Sequence, residues 1–388
     1  MSIAALYLHI PFCRARCAYC DFETRAYPAC DLEGAMSAYL DRLTGRIERF
    51  GRQGALDDVE TVYIGGGTPS LLGDRLVELT AQVRSYCSPV EFTCEANPES
   101  FDAGLARSLA DAGVTRISLG VQSLQPHELR AIGRIHTREQ ALCAVLSARD
   151  AGLAVSCDLM CGLPGQSVDS FRSSLLDLLD VDPHHVSVYP LQLEEGTPLY
   201  SRVEDGKAVV PDEDCQADCM EVAREILVSS GYSPYEVASY ARPGYACRHN
   251  IAYWTGKSYL GIGRAAAGML DANEAREYLR IDVPQGTARV RYVQADDDGG
   301  LRDIEFMTAR EAAAEDLMLA FRMTRGASEA LLRASAPAIP ASRLEDACRR
   351  ACDLGLARWQ SGEGRLVPTR LGWLEGNELF ELFWDLAE

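Results

Sequence analysis

Hydrophobic and polar positions follow two different rhythms in the first half of the chain. Short apolar runs, typical of strands, alternate with longer amphipathic stretches of helical spacing. The short runs predict six strands, at 6–10, 59–64, 91–95, 116–121, 154–160 and 185–191. The longer stretches predict helices near 33–50, 71–86, 101–112, 125–150 and 168–180. Ser70 is the expected N-cap of the second helix, and Gly113 and Gly152 stand where two later helices should end.

This alternation of strands and helices predicts an α/β domain over residues 1–200. Strands separated by helices pair in parallel through right-handed crossovers. Six units are too few for an eight-stranded barrel, so an incomplete barrel or a doubly wound sheet is expected. In both architectures functional side chains collect at the carboxyl ends of the strands.

The second half of the chain divides into two further segments. Residues 201–300 are less regular and are interrupted by prolines, and the stretch Asp296–Gly300 is typical of a loop or linker. Helical patterns at 312–323 and 342–354 precede a predicted hairpin, 356–359 with 365–367, and a last helix. This order predicts a small α+β unit like a winged helix over residues 301–388.

Composition and charge exclude several classes of function. The chain has 388 residues and a formal net charge of −19, which disfavours a nucleic-acid partner. It lacks an uncharged apolar run of the roughly 18 residues that a membrane span needs, and no signal-peptide pattern opens it. We therefore expect a cytoplasmic protein, in which most of the 14 cysteines are reduced and buried rather than paired.

Three cysteines follow the first predicted strand at a spacing that suits a metal site. Cys13, Cys17 and Cys20 lie in a C-x3-C-x2-C loop, and clustered thiolates favour an iron–sulfur cluster or zinc. A structural zinc site needs a fourth ligand, and a helix would turn the same spacing into one buried face. We favour the cluster, since three cysteines on four irons leave one iron open to an exogenous ligand.

Other unusual residues follow the later strands. The run Gly65–Pro69 lets the backbone approach a ligand closely and precedes a helix, which favours a carboxylate or phosphate. A plain tight turn is the alternative. Glu95, Gln122, Arg134 and Asp158 add acidic, amide and guanidinium groups at or after strands three to five. Together these groups fit a zwitterionic nucleoside such as S-adenosylmethionine.

In this order the motifs resemble the radical S-adenosylmethionine superfamily, specifically the group of oxygen-independent coproporphyrinogen III oxidases. The resemblance rests on Tyr7–Cys13, Gly65–Pro69, Gly120–Gln122 and Asp158–Pro164. It implies a partial (β/α)6 barrel resembling a TIM barrel, with a C-terminal extension, a 4Fe–4S cluster on the three cysteines and S-adenosylmethionine on the open iron. The residues implied to contact that cofactor are Tyr7, Tyr19, Gly66, Gly67, Thr68, Glu95, Gln122, Arg134 and Asp158.

Within this group the chain resembles a branch of heme chaperones more than the oxidases. The oxidases carry a fourth cysteine where this chain has Phe22, and a long segment before the first strand. The run His249–Trp254 resembles the H-N-x-x-Y-W motif of the chaperone branch and implies heme contacts by His249, Tyr253 and Trp254. A hydrogen-bonded structural histidine is the alternative. The branch often has a histidine after Gly263, and here Arg264–Gly268 lacks it.

The resemblance implies a heme chaperone that binds heme and transfers it to acceptor proteins, including respiratory ones. The cluster and S-adenosylmethionine would then act structurally or in regulation, and no catalytic residue is assigned. The chain would meet a membrane only through an acceptor. Two alternatives stay open: oxidation of coproporphyrinogen III to protoporphyrinogen IX, and radical chemistry on tRNA, which the acidic charge disfavours.

Overall fold

A computed structural model describes residues 2–26, 29–295, 299–360 and 362–388. Its main feature is a twelve-stranded sheet. Six strands lie at the predicted positions: β1 Ala5–Ile10, β2 Thr61–Gly66, β3 Glu91–Ala96, β4 Arg116–Gln122, β5 Ala154–Cys161 and β6 His185–Pro190. They lie side by side in chain order, and each pairs in parallel with the next. The prediction of an α/β fold built on a parallel sheet is confirmed.

The sheet extends beyond these six strands at both sides. The added strands are β7 Ser233–Pro234, β8 Ser239–Ala241, β9 Tyr259–Ile262, β10 Ala267–Asp271, β11 Thr287–Gln294 and β12 Leu301–Thr308. Strand β9 pairs in parallel with β1, with Ala5 opposite Tyr259, and β10 to β12 continue from it antiparallel. Strands β8 and β7 continue antiparallel from β6. The parallel part therefore has a seventh strand that the short run around Gly261 did not predict.

Helices connect the strands of the first half. They are α1 Ala29–Arg52, α2 Asp74–Arg84, α3 Ala103–Asp111, α4 Pro126–Ala131, α5 Arg138–Asp150 and α6 Val168–Leu179, with 3₁₀ turns at Pro69–Leu72 and Pro98–Ser100. The stretch predicted as one helix at 125–150 is two, because Gly133 has a φ of 76° between them. Gly113 and Gly152 follow helix ends with positive φ, as predicted.

The expected role of Ser70 as a helix cap is wrong. Ser70 lies inside the 3₁₀ turn, and α2 begins at Asp74 after Gly73. The Ser70 hydroxyl instead shares a hydrogen bond of 2.7 Å with the hydroxyl of Ser100 and accepts one from the backbone N–H of Asn97. It therefore joins the loops after β2 and β3.

Alternation along the parallel strands separates an apolar face from a polar one. Apolar side chains such as Leu8, Ile64 and Leu119 are buried in one large hydrophobic core with residues of the flanking helices. The opposite face carries Tyr7, His9, Tyr63, Glu95, Arg116, Ser118, Ser156, Asp158, His185 and Ser187 in alternate positions. Polar groups from neighbouring strands are thus brought together on the face away from that core.

The remaining helices follow β6. They are α7 Pro198–Glu204, α8 Glu213–Ser229, α9 Arg248–Trp254, α10 Ala272–Glu274 with a π turn Ala275–Leu279, α11 Ala309–Phe321, α12 Glu329–Ser335, α13 Ala341–Asp353, α14 Arg370–Leu374, α15 Gly376–Trp384 and a 3₁₀ turn Asp385–Ala387. No helix among the described residues is long and apolar enough to cross a membrane.

The C-terminal residues form a second hydrophobic core. Leu317, Phe321, Leu366 and Phe383 are among its buried members. Its three-stranded antiparallel sheet consists of β13 Ala327–Ser328, β14 Ala357–Gln360 and β15 Arg365–Pro368, with β15 in the middle. Residues 301–308, assigned above to this unit, are instead the edge strand of the large sheet. The linker predicted at 296–300 lies largely outside the described residues.

Candidate functional site

The cysteine loop begins directly after β1. Cys13 lies in a two-residue strand, Phe12–Cys13, which pairs in parallel with Arg25–Ala26, and the half-buried Cys13, Cys17 and Cys20 line one cavity. The loop is not helical, so the buried helix face is ruled out. Among the described residues, no three His, Cys, Asp or Glu side chains surround a single metal ion, as zinc would need. Each cysteine of a 4Fe–4S cluster binds a different iron, so such a cluster does not require three thiols around one metal ion.

Burial and nearby donors act in opposite directions on these thiols. Burial raises the pKa of Cys13 and of Cys20, because it disfavours the thiolate. The Thr68 hydroxyl, 3.7 Å from the Cys13 sulfur, lowers the pKa of Cys13. The guanidinium of Arg134 donates to the Cys17 sulfur at 3.5 Å. Thr68 and Arg134 thus provide hydrogen-bond donors for thiols that bind metal in the deprotonated form.

The glycine run packs against the cysteine loop without space for a side chain. The Gly67 N–H donates to the Ile10 carbonyl at 2.8 Å, and the Thr68 N–H donates to the Phe12 carbonyl at 2.7 Å. A Cβ atom on Gly67 would lie 2.6 Å from the Phe12 oxygen and 2.9 Å from the Cys13 sulfur. A plain turn would not require this contact, so the glycine is needed where the two loops meet.

Two carboxyl groups lie in β3 and β5, Glu95 one residue before the end of its strand and Asp158 three residues before. Glu95 accepts hydrogen bonds from the Tyr63 hydroxyl at 2.7 Å and from the Gly66 N–H at 2.9 Å. Burial raises the pKa of Glu95 to about 7 and the pKa of Asp158 to about 6. Both carboxyl groups can therefore accept hydrogen bonds, and a ligand with a cationic or hydroxyl group would stabilise their charged form.

Arg134 connects the cysteine loop to the end of β4. Its Nη2 donates to the Asn97 side chain at 3.1 Å and also to the Gly120 carbonyl. Its Nε is buried and has no hydrogen-bond partner among the described residues. Gln122, at the end of β4, has a φ of 63°, which is uncommon for a residue other than glycine. An unpaired guanidinium nitrogen and a strained strand end are both features of ligand sites.

The structure brings together eight of the nine residues predicted to contact S-adenosylmethionine. Around the cysteine cavity lie Tyr19, Gly66, Gly67, Thr68, Glu95, Gln122, Arg134 and Asp158. Tyr7 is set back from it, and its hydroxyl shares a hydrogen bond of 3.0 Å with His9. Asn97 follows the strand of Glu95 and bonds both Thr68 and Arg134, and it was not predicted from the sequence.

The three residues expected to contact heme lie in α9. His249 is 1 % exposed, and its two ring nitrogens share hydrogen bonds with Thr61 at 3.0 Å and with Tyr253 at 2.8 Å. The Trp254 ring lies under the guanidinium of Arg322, 4.5 Å away. Both ring nitrogens of His249 are thus hydrogen-bonded, as the structural alternative expects, and heme contact by these three residues stays a prediction.

Replacing His249 with glutamine should alter stability and its dependence on pH. Burial lowers the pKa of His249 from 6.5 to about 3, so the unfolded chain binds a proton that the folded chain excludes between those values. The histidine therefore makes the wild type lose stability as pH falls below about 6.5, by up to about 1.4 kcal/mol per pH unit. At pH 7 we expect His249→Gln to be about 1–3 kcal/mol less stable, because buried groups lose partners.

Urea unfolding at pH 7, 6 and 5 measures both effects. The wild-type curve should fall more steeply with acid than that of His249→Gln. His127→Gln is the matched control, since it makes the same substitution at a side chain that is 53 % exposed and should cost less stability at pH 7. Equal pH slopes for wild type and His249→Gln would contradict the prediction.

Comparison with known proteins agrees with this geometry. The profile of the Radical SAM superfamily matches residues 7–178. The chain is 35 % identical to the heme chaperone HemW of Escherichia coli over 330 residues, 83 % of each chain. It is 39 % identical to HemW of Mycobacterium tuberculosis over 271 residues, 68 % of this chain and 69 % of that one. The fold is similar to that of E. coli coproporphyrinogen III oxidase HemN, with a TM-score of 0.79, 19 % identity and coverage of 98 % and 90 %.

The fold and the matched segment define a protein of the radical SAM superfamily, with the partial barrel expected from the sequence. HemW relatives match over most of their own length and at more than 30 % identity. The chain belongs to the HemW family.

Proposed function

We propose that this protein is a heme chaperone, which binds heme in the cytoplasm and transfers it to acceptor proteins, respiratory hemoproteins among them. The observation that supports this most is its 35 % identity over 83 % of the E. coli protein named heme chaperone HemW. The position of Phe22 agrees with it. This side chain is 60 % exposed beside the cysteine loop, where an oxidase would carry a further cysteine.

We further propose that Cys13, Cys17 and Cys20 hold a 4Fe–4S cluster and that the neighbouring pocket holds S-adenosylmethionine. The donors fit both groups: three half-buried thiols, a glycine surface close to them, and the unpaired Nε of Arg134. When bound, the pair supplies one-electron reductive cleavage of S-adenosylmethionine. Arg134 would bind the carboxylate of the cofactor, while Glu95 and Asp158 would accept from its amine and ribose hydroxyls.

The fold favours one enzymatic alternative, since HemN has the same architecture. Oxidation of coproporphyrinogen III is therefore the second candidate function. A direct test incubates anaerobically reconstituted protein with S-adenosylmethionine, a reductant and coproporphyrinogen III. We expect no protoporphyrinogen IX above the level without protein. Its formation together with 5′-deoxyadenosine over several turnovers would replace the chaperone proposal.

A hemin titration tests the chaperone proposal itself. We expect the Soret band to shift and saturate at micromolar hemin in the wild type, and bound heme to move to an added apo-hemoprotein. Because His249 has both nitrogens bonded, His249→Gln that remains folded should bind hemin about as well as the wild type. No saturable binding by the wild type would reject the function, and a fivefold loss in His249→Gln would restore the histidine as a ligand.

A further inference from the structure

A second cavity lies inside the barrel, next to the cysteine cavity. It has a volume of about 390 Å³, and its lining includes Tyr63, Arg116, Ser118, Ser156, Ser187 and Asn250. We call this space the inner chamber. Glu95, Gln122 and Asp158 line both cavities, so the inner chamber opens onto the pocket proposed for S-adenosylmethionine.

The inner chamber contains a buried arginine with an unused donor. Arg116 is 3 % exposed. Its Nη1 donates to the Tyr245 carbonyl at 2.8 Å, whereas its Nη2 is buried and has no hydrogen-bond partner among the described residues. Burying a guanidinium costs free energy when one of its N–H groups has no hydrogen-bond acceptor, unless a bound ligand supplies that acceptor. Among the described residues, this nitrogen therefore lacks the acceptor that a buried guanidinium normally has.

Glu91 lies near Arg116 and raises the pKa of its guanidinium, but the two form no direct salt bridge among the described residues. Arg116 forms no ion pair within 4.0 Å there, and the nearby Glu91 is engaged elsewhere, since its oxygens accept from the N–H groups of Arg248 at 3.0 Å and His249 at 2.9 Å. His185 has both nitrogens bonded, to Ser156 at 2.7 Å and Tyr235 at 2.9 Å, and burial lowers its pKa well below 6.5. Glu91 therefore acts on Arg116 through its charge, while the Nη2 of Arg116 keeps no hydrogen-bond partner among the described residues.

We propose that the inner chamber binds a small organic carboxylate, with its carboxylate on the Nη2 of Arg116 and its remaining part directed toward Asp158 and Glu95. A guanidinium and neighbouring hydroxyl groups are the usual partners of a carboxylate. Asp158 and Glu95 line the same chamber and disfavour a doubly charged phosphate. A molecule held there would lie beside the cofactor pocket.

The carboxylate group that Arg116 would bind has two sources: a free organic acid, or the propionate side chain of a porphyrin. The proposal does not depend on the chaperone function, because sodium propionate alone is a sufficient probe. We would titrate full-length protein, loaded with cluster and S-adenosylmethionine, with sodium propionate by ligand-observed NMR. Hemin and hemin dimethyl ester, which lacks free carboxylates, would be titrated separately.

Saturable propionate binding that weakens about tenfold in Arg116→Met supports a free acid. A preference for hemin over its dimethyl ester that disappears in Arg116→Met supports the porphyrin side chain. Arg107→Met, which removes an exposed arginine on α3, should behave like the wild type in both titrations.

The wild type decides the question even if Arg116→Met does not fold. Absence of saturable propionate binding at tens of millimolar, together with equal affinity for hemin and its ester, overturns the proposal. Equal binding by wild type and folded Arg116→Met overturns it as well. Arg116→Lys, which keeps the charge, should retain more binding than the methionine variant.

Discussion

We expect anaerobically reconstituted Cys13→Ala to contain roughly a tenth of the iron and sulfide of the wild type, or less. It should also lack the broad visible absorbance of the wild type. The loop offers three thiols, and an open-iron cluster needs all three. The Thr68 hydroxyl and the Gly67 backbone next to Cys13 provide no replacement ligand. Iron and sulfide analysis after desalting measures the effect.

A second cysteine variant controls for the general loss of a thiol. Cys143 is exposed on α5, away from the cysteine cavity, so Cys143→Ala should keep the full content of iron and sulfide. Unfolding curves of both variants without cluster should match that of the wild type. Unchanged iron and sulfide in Cys13→Ala would refute the assignment of the ligand.

Gly67→Ala should also lower the iron content strongly, in this case because the added methyl group disturbs the packing of two loops. The added methyl would lie 2.6 Å from the Phe12 oxygen and 3.0 Å from the Ile10 oxygen, and both atoms belong to the backbone. The loops after β1 and β2 therefore have to separate, at a cost of about 1–3 kcal/mol. We expect this loss in urea unfolding, and an iron content well below that of the wild type after reconstitution.

Gly45→Ala is the matched control for this variant. Gly45 is exposed in α1, and a Cβ atom there has no neighbour within 4 Å. Alanine favours a helix over glycine by about 0.5–1 kcal/mol, so Gly45→Ala should be slightly more stable and keep its cluster. The packing explanation fails if Gly67→Ala is as stable and as well loaded with iron as the wild type.

The sequence predicted the parallel strands well because each is a short run rich in apolar and β-branched residues between polar segments. It did not predict β9, since a four-residue run containing Gly261 has too weak a pattern. The two helices at 126–150 could not be separated from one by periodicity, which continues through Gly133. Ser70 was misassigned because its hydroxyl bonds Ser100, a residue distant in sequence.

The candidate site was predictable where function requires unusual residues at strand ends. Closely spaced cysteines and consecutive glycines stand out in any sequence, and the structure brings them together. Asn97 and Arg116 are ordinary residues whose importance depends on long-range hydrogen bonds and burial. His249 shows a different limit of prediction from sequence. Its motif is visible in the sequence, but the hydrogen bonds of its ring to Thr61 and Tyr253 are not.

The pairing of β1 with β9 has a consequence for the order of assembly during synthesis. Ala5 of β1 lies beside Tyr259, so the strand that carries the cysteine loop gains its second neighbour only after most of the chain has left the ribosome. Contacts between such distant residues form late, because the intervening chain must first be ordered. Insertion of an iron–sulfur cluster is therefore expected to follow release of the nearly complete polypeptide, and truncated nascent chains ending before Tyr259 should bind little iron.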